Sequence, residues 1–220
     1  TREKYLGKTI PENIEGMKQE LLQEEKKILY NKLEKIKASF QKEWKKFPDS
    51  VKEKELEEIA IAFTYNTNAI EGSKITIEEA REIIEDKIAP NKPLREVKET
   101  EYHAKAFLEM IKNKEKISNK LILEWHKQIF GETKADIAGK HRDYLVRIGD
   151  YKAPDWQEVK KLMNQLIKLI NLSKINPVEL AARAHYRFEK IHPFGDGNGR
   201  IGRLIINHIL WHNQYPMLII

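Results

Sequence analysis

Apolar residues that recur at helical spacing constrain the fold of this chain more than any other feature of its sequence. From Met17 to Phe47 they follow one another mostly at intervals of three, four and seven: Leu21, Leu22, Ile28, Leu29, Leu33, Ile36, Phe40 and Trp44. Glu and Lys fill the remaining positions, which is typical of an amphipathic helix. Because the stripe is wider than a strict coiled-coil seam, it predicts a long helix packed on a domain.

Capping signals and further periodic segments predict that most of the remaining chain is also helical. Ser50 and Thr76 are each followed three residues later by Glu, which is the pattern of a capping box. Asn176 can cap a helix in which Pro177 takes the first position. The predicted helices are one from Ser50 to Glu71–Gly72, one from Thr76, two at roughly 94–113 and 119–130, one from Asp155, one from Asn176 to Lys190, and an apolar one containing Leu204, Ile205, Ile206, Ile209 and Leu210.

Residues 131–154 show a different pattern. Tyr144, Val146 and Ile148 alternate with polar residues, which predicts one short β-hairpin. The sequence therefore predicts an all-α fold with a single hairpin. Since no repeat, low-complexity segment or linker indicates a second globular domain, we expect a helical extension over 1–49 and one domain over 50–220.

Composition excludes several classes of protein. The 220 residues contain no Cys, which excludes disulfides, thiolate zinc sites and a Cys nucleophile. No apolar run approaches the roughly 20 residues that span a bilayer, and no signal peptide is evident although the chain starts with Thr. We therefore expect a cytoplasmic protein with no membrane partner. The 40 basic against 34 acidic residues weakly favour phosphate-bearing partners.

The segment from His192 to Arg203, HPFGDGNGRIGR, carries the chemistry. Three Gly within five residues, at a loop that enters a helix, can expose consecutive backbone N–H groups to a phosphate. Arg200 and Arg203 lie three apart, so both guanidinium groups can reach the same anion. Asp196 is a hard oxygen ligand of the kind that nucleotide-bound Mg²⁺ requires. His192 can accept a proton near neutral pH, so the segment predicts a phosphate site with a base and a metal ligand.

The same segment resembles the motif of the Fic family, His-Pro-Phe-x-Asp/Glu-Gly-Asn-Gly/Lys-Arg-x-x-Arg, and matches every specified position. Residues 181–191 resemble the helix that leads into the family's active-site loop, and residues 139–154 resemble its hairpin flap. The resemblance covers roughly residues 50–220. It implies a Fic-type helical bundle with one short flap and an active-site loop at 192–203, which the long N-terminal helix predicted from the apolar spacing precedes.

The resemblance implies a protein adenylyltransferase, which transfers AMP from ATP to a Ser, Thr or Tyr hydroxyl of a protein. Gly199 favours AMP transfer, since phosphorylating relatives carry Lys at that position. The implied roles are general base for His192, Mg²⁺ ligand for Asp196, anion hole for Gly197, Asn198 and Gly199, phosphate contact for Arg200, γ-phosphate contact for Arg203, and strand-like binding of the target by the flap residues Val146, Arg147, Ile148 and Gly149.

The stretch Thr67–Gly72 resembles the inhibitory motif of the family, Ser/Thr-x-x-x-Glu-Gly/Asn. It implies an N-terminal inhibitory helix over about 51–72, in which Glu71 competes with the nucleotide for Arg203. The pattern is short and, without the active-site motif, would also fit an ordinary helix end. In some relatives the same Glu supports removal of AMP, and the sequence leaves that activity open.

An alternative function stays open at this point. A regulatory or toxin-like module could bind protein or nucleic acid with little turnover, although nucleic acid is the less expected partner. Self-modification and a homodimer are also open. In the family a helix beyond the motif helix usually completes the adenine pocket, and this chain stops at Ile220. A missing segment or a neighbouring chain would then supply the adenine contacts.

Overall fold

The computed structural model describes residues 11–220, which form eight α-helices and one two-stranded hairpin, in agreement with the predicted all-α fold. None of the helices in this range is long and apolar enough to cross a membrane. The elements are α1 (Ile14–Trp44), α2 (Asp49–Ile70), α3 (Ile77–Arg81) continued by a π-helical turn (Glu82–Asp86), α4 (Leu94–Lys112), α5 (Asn119–Phe130), β1 (Arg147–Ile148), β2 (Tyr151–Lys152), α6 (Trp156–Leu172), α7 (Pro177–Ile191) and α8 (Asn198–His212).

Helix α8 lies at the centre of the fold. Every residue from Arg200 to Leu210 is buried, so this helix has no solvent-facing stripe over that length. Helix α7 packs along it, and α2, α4 and α5 also contact it. The core around these helices contains large aromatic and aliphatic side chains: Phe63, Phe107, Met110, Phe130, Met163, Phe188 and Phe194. Packing on all sides therefore fixes the position of α8 and of the loop that precedes it.

Helix α1 lies on the outside of this core and contains no buried residue. Leu33 packs against the core. Phe40 and Trp44 meet the ring of Trp211, with ring centroids 6.3 and 5.6 Å apart. The predicted packing of a long helix on the domain is confirmed, with bounds three residues earlier at each end than predicted. The division at residue 49 stays a prediction, and residues 1–10 lie outside the described part of the chain.

Two of the three predicted caps are present. Thr76 and Glu79 form the capping box reciprocally, at 3.2 and 2.8 Å, and the Asn176 side chain accepts from the Val178 N–H at 2.9 Å. The predicted capping box at Ser50 is wrong. Helix α2 begins one residue earlier, after Pro48, and has no side-chain cap. The proline ring fixes φ near −60° and leads the chain directly into the first turn, so Ser50 is already helical.

The hairpin is short and exposed. Arg147 pairs with Lys152 and Ile148 with Tyr151, and Gly149 takes φ +56° in the turn. The alternation that begins at Tyr144 predicts longer strands than the two residues observed. A hairpin whose β1 residues are both exposed lacks the buried face that would stabilise a longer ribbon.

Replacing Trp44 by Ala tests whether the aromatic contact with Trp211 holds α1 on the domain. Since Trp44 is half-buried and packs edge-on against that ring, we expect the free energy of unfolding to fall by about 2 kcal/mol. Urea denaturation monitored by circular dichroism measures this. The control is Leu29→Ala on an exposed part of the same helix, which should change stability by less than about 0.5 kcal/mol.

Candidate active site

The loop between α7 and α8 presents the predicted site residues at the N-terminal end of the central helix. His192 ends α7 in the left-handed conformation (φ 49°, ψ 62°). The Asn198 side chain then closes the loop, because it accepts from the Phe194 N–H and donates to the Phe194 carbonyl, both at 2.9 Å. Phe194 is fully buried. The Asn198 side-chain amide therefore stabilises the shape of the loop, and the Asn198 backbone N–H is the first of helix α8.

Two glycines of the loop have close neighbours: at Gly197 the backbone conformation and the Phe130 ring both exclude a side chain, whereas at Gly199 the neighbour is the flexible end of the Glu71 side chain. Gly197 has φ +78°, and a Cβ there would lie 2.4 Å from the Phe130 ring. A Cβ on Gly199 would lie 2.3 Å from Oε1 of Glu71. The first N–H groups of α8 have no partner within the helix, and the positive end of the helix dipole coincides with them. This helix start is therefore suited to an anion, as the glycine spacing predicts.

The His192 side chain is mostly buried, with 17% of it exposed. Burial lowers the pKa of the imidazole below its ordinary value, and the positive charge of Arg142 acts in the same direction. The backbone carbonyl of Glu189 opposes this shift most, followed by the carboxylates of Glu71 and Asp196, and together they do not cancel it. The ring is therefore neutral at pH 7, which is the state in which it can accept a proton.

A cluster of paired charges lies beside the loop. The Asp196 carboxylate is 2.7 Å from Lys134 Nζ and 3.7 Å from an Arg95 nitrogen. The buried Glu99 pairs with Arg200, and with Lys134 and Arg95 at 3.0 Å each. Desolvation raises the pKa of the Glu99 carboxyl, but the three cations outweigh it and lower this pKa to about 2. Glu99 thus stays charged and holds the cations in place.

The Arg200 guanidinium, which the resemblance assigns to a phosphate, is occupied in this structure. It is 5% exposed, pairs with Glu99 and lies over the Phe130 ring at 4.4 Å. It therefore contributes positive charge next to the loop while its Nη1 is engaged by the Glu99 carboxylate, and its buried Nε has no hydrogen-bond partner among the described residues. Its direct contact with a phosphate stays a prediction.

Sequence reasoning missed His126, which holds the active-site loop from α5. Its Nε2 lies 3.0 Å from the Asp196 carbonyl, its Nδ1 accepts from the Gly139 N–H at 2.9 Å, and its ring stacks on Phe194 at 3.9 Å. Since Nδ1 is an acceptor, Nε2 carries the proton. Burial lowers the pKa of His126 to about 4, so it stays neutral.

Lys134, Arg95 and Glu99 were also missed. Nothing in their spacing separates them from the 74 charged residues of the chain, most of which suit solvated helix faces. For His126 the sequence did contain a signal: this residue lies on the apolar face of α5, among Ile122, Ile129 and Phe130.

The predicted inhibitory residues meet Arg203 as the motif implies. Glu71 Oε1 lies 2.6 Å from Arg203 Nη2, and the Thr67 hydroxyl accepts from Arg203 Nε. Arg203 is 7% exposed, whereas 31% of the Glu71 side chain is exposed. Glu71 is the C-cap of α2, and Gly72 follows with φ +91°. The end of α2 therefore carries a carboxylate directly to a buried guanidinium of α8.

A polar cavity of about 370 Å³ lies between the end of α2 and the active-site loop. Its lining includes Asn68, Glu71, Arg95, Glu99, Asp196 and Arg200. Within residues 11–220 no cluster of three or more His, Asp or Glu side chains could hold a metal by itself. A single carboxylate such as Asp196, 42% exposed, still suits Mg²⁺ that arrives with a nucleotide, because the phosphates and water supply the other ligands.

The flap residues lie at the rim of the end of the molecule that carries the active-site loop. Arg147 and Ile148 are exposed on β1, Gly149 forms the turn, and the Val146 carbonyl accepts from the Ala153 N–H at 3.1 Å. The flap is tied to the active-site loop, since the Arg142 N–H donates to the Pro193 carbonyl at 2.9 Å. The structure thus brings the predicted base, metal ligand, anion site, inhibitory residues and flap to one end of α8.

Comparison with known proteins agrees with this geometry. Residues 116–210 match the model of the Fic/DOC family. The chain is 36% identical over 165 residues to the protein adenylyltransferase Fic of Nematostella vectensis, covering 71% of this chain and 38% of that protein. The chain spans only about a third of the length of the curated relatives it matches.

Solved structures share the fold. A Fic-domain-containing signalling protein from Bacteroides thetaiotaomicron superposes with a TM-score of 0.72 at 28% identity, over 84% of this chain and 75% of that one. A fragment of Fic-1 from Caenorhabditis elegans gives 0.76 at 26% identity, over 96% and 65%. The helical core, the hairpin and the complete loop motif agree with these matches, and the chain therefore belongs to the Fic/DOC family.

Proposed function

We propose that this chain is an autoinhibited protein adenylyltransferase, which transfers AMP from ATP to a Ser, Thr or Tyr hydroxyl of a protein. The observation that carries the proposal is the convergence of a neutral His192, the Asp196 carboxylate and the start of α8 on one loop. A base, a metal ligand and an anion site are the groups that attack at phosphorus requires. Relatives named protein adenylyltransferase support the same reaction class.

The triphosphate binds along the polar cavity and over the first turn of α8. The free N–H groups and the helix dipole attract its phosphates. Arg95 and Lys134 add positive charge from the side of the cavity. Asp196 would hold Mg²⁺, which would neutralise negative charge on the triphosphate. Arg203 then takes the γ-phosphate once Glu71 releases it.

The transfer step needs positioning and one proton acceptor. The hydroxyl oxygen of the target attacks the α-phosphorus, the bond from that phosphorus to the bridging oxygen breaks, and pyrophosphate leaves. His192 takes the hydroxyl proton. The exposed β1 strand of the flap holds the target backbone by strand addition, which leaves the identity of the neighbouring side chains loosely specified.

The Glu71–Arg203 pair supplies the inhibition. Its carboxylate occupies the guanidinium that the γ-phosphate needs, and it repels the phosphate as a like charge. A partly buried Arg–carboxylate pair of this geometry can oppose productive binding by roughly 1–3 kcal/mol. Because Glu71 is partly exposed and lies at a helix end, it can leave Arg203 more easily than the buried Glu99 can leave its partners.

Glu71→Gly tests the inhibition. Removing the carboxylate frees Arg203 and ends the repulsion, so incorporation of α-labelled ATP into the protein itself should rise by roughly 5–150-fold, the range of such a coupling. Glu71→Gln, which keeps the side-chain length without the charge, should show part of this rise. Equal labelling of wild type and Glu71→Gly, with ATP binding verified by calorimetry, would show that Glu71 is only a helix cap.

Arg203→Ala in the Glu71→Gly background is the companion measurement. If the rise in labelling depends on the freed Arg203 guanidinium, the second substitution should cancel that rise, since the two residues act through one interaction. Arg187→Ala, at an exposed position on α7, is the matched control and should leave the gain intact. A double variant that labels as well as Glu71→Gly contradicts the proposed role of Arg203.

His192→Ala tests the general base. In the Glu71→Gly background we expect labelling to fall by roughly 10²–10⁴-fold, with ATP affinity retained. The control is His212→Ala at the opposite end of α8. Because burial lowers the pKa of His192, labelling by Glu71→Gly should rise with pH only below about 6.5 and be flat above it. Near-parental labelling by His192→Ala refutes the assignment.

Asp196→Ala tests the metal site. Titration calorimetry with ATP should show that Mg²⁺ no longer strengthens binding, whereas metal-free binding is kept or strengthened. The reason is that Lys134 loses the carboxylate that now neutralises it at 2.7 Å. Asp136→Ala, an exposed Asp nearby in the chain, should behave as wild type. An equal loss of affinity with and without Mg²⁺ would assign Asp196 to the shape of the loop.

A further inference from the structure

Arg142 forms an unusual set of hydrogen bonds at the base of the flap. It is 4% exposed. Its guanidinium donates to the His192 carbonyl from Nε at 2.8 Å, to the Tyr144 carbonyl from Nη1 at 2.7 Å and to the Pro154 carbonyl from Nη2 at 2.6 Å. A fourth, longer hydrogen bond runs from Nη2 to the Ile191 carbonyl at 3.4 Å. Within residues 11–220 no carboxylate forms an ion pair with it. A buried cation is thus held entirely by backbone carbonyls.

Such an arrangement does not follow from the needs of a stable core. Burying a charge without a counter-charge is costly, and here the cost is offset because the guanidinium supplies donors to backbone carbonyls that an apolar side chain would leave unpaired. Only a planar guanidinium carries donors that point in three directions from one rigid group. The arrangement therefore serves to fix three carbonyls relative to one another.

The three carbonyls belong to parts of the site that must act together. Tyr144 precedes β1 and Pro154 follows β2, so they mark the two ends of the flap. His192 is the residue placed as the base. Since the strands are only two residues long and largely exposed, the hairpin has little stability of its own. Two other contacts tie it to this region, from the Tyr151 hydroxyl to the Lys190 carbonyl at 2.8 Å and from the Arg142 N–H to the Pro193 carbonyl. The Arg142 guanidinium is the group that joins both ends of the hairpin to the His192 backbone.

We propose that Arg142 is a positioning residue, which sets the distance between the flap and His192 so that a hydroxyl held by the flap meets the imidazole. The inference rests on the proposed function, since it names what aligns the target in that reaction. Arg142 touches neither nucleotide nor target in this scheme. It acts through the His192 backbone and through both ends of the hairpin.

Arg142 also influences the charge state of His192. Its cation opposes protonation of the imidazole, in the same direction as burial of the ring. The acidic groups that face the ring are Glu189 on α7, with its carboxylate 4.0 Å from Nδ1, Glu71 on α2 and Asp196 in the loop. Removing the cation while these carboxylates remain should raise the pKa of His192.

The experiment uses Arg142→Lys and Arg142→Gln in the Glu71→Gly background, with α-labelled ATP as the probe. At saturating ATP and Mg²⁺ we expect self-labelling to fall by about ten- to a hundredfold for both variants, because a misplacement of about 1 Å is enough for such a loss. The dissociation constant of ATP with Mg²⁺ should stay within about twofold, since the nucleotide contacts are on α8. Arg187→Lys is the matched control and should label as the parent does.

Two further readouts separate positioning from general damage. Hydrogen exchange of the Ala153 amide, which donates to Val146 in the flap, should accelerate in both variants, while exchange in α8 stays unchanged. The acid limb of the pH profile should move to higher pH for Arg142→Gln, because protonated His192 persists to higher pH. It should not move for Arg142→Lys, which keeps the charge.

The outcomes distinguish this inference from the proposed function. If the Glu71→Gly parent takes up no label, the proposed function fails. The role of Arg142 is then tested without labelling: it is overturned if hydrogen exchange in the flap and the His192 titration measured by NMR are unchanged in both variants. If the parent labels, two results overturn the inference: parental labelling by Arg142→Lys and Arg142→Gln, or a loss that follows weaker ATP binding. Loss of α8 protection in both variants likewise assigns Arg142 to the fold.

Discussion

The burial of α8 on all sides is the constraint on which the rest of the structure depends. A helix enclosed from Arg200 to Leu210 cannot shift or rotate without disturbing the whole core. Its first turn is therefore a fixed platform, and the loop before it is anchored by Phe194 below and by the Asn198 amide across it. Anion-binding N–H groups are most effective when no reorganisation is needed as the ligand arrives.

Each of three carboxylates around this platform is paired with at least one cation. Arg200 faces Glu99, Lys134 faces Asp196, and Arg203 faces Glu71. These pairs differ in how easily they can open. Glu99 is 6% exposed and strongly held by three cations, whereas Glu71 is partly exposed at the end of a helix. A ligand phosphate can therefore replace Glu71 while Glu99 keeps the remaining cations in position.

The flap and the inhibitory helix approach the same loop from different parts of the chain. Helix α2 brings Glu71 across 132 residues of sequence to Arg203, and Arg142 joins the flap to His192 across 50. Both contacts use a guanidinium whose planar donors impose a defined geometry. The site thus combines a rigid helix start with two elements that each reach it through a guanidinium contact.

The amino-acid sequence by itself determined the helical fold, most element bounds and the members of the loop motif. Periodicity, the Thr76 and Asn176 caps and the glycine spacing are local signals, and they act within a few residues. The Ser50 cap failed because Pro48, two residues earlier, started the helix first. The hairpin was predicted too long, because whether a strand extends depends on what covers its faces.

Only the tertiary structure decided which charged residues belong to the site. Glu99, Lys134, Arg95 and His126 are separated by up to 39 residues and follow no local pattern, yet they meet at Asp196 and Arg200. The packing of α4 and α5 against α8 determines which partners these residues meet. The strength of each ion pair depends on its burial, which cannot be read from the sequence. The same holds for Arg142, whose role is set by three carbonyls. Every residue has the same backbone carbonyl group, so the sequence does not show which carbonyls Arg142 binds, and only their positions in the folded chain decide this.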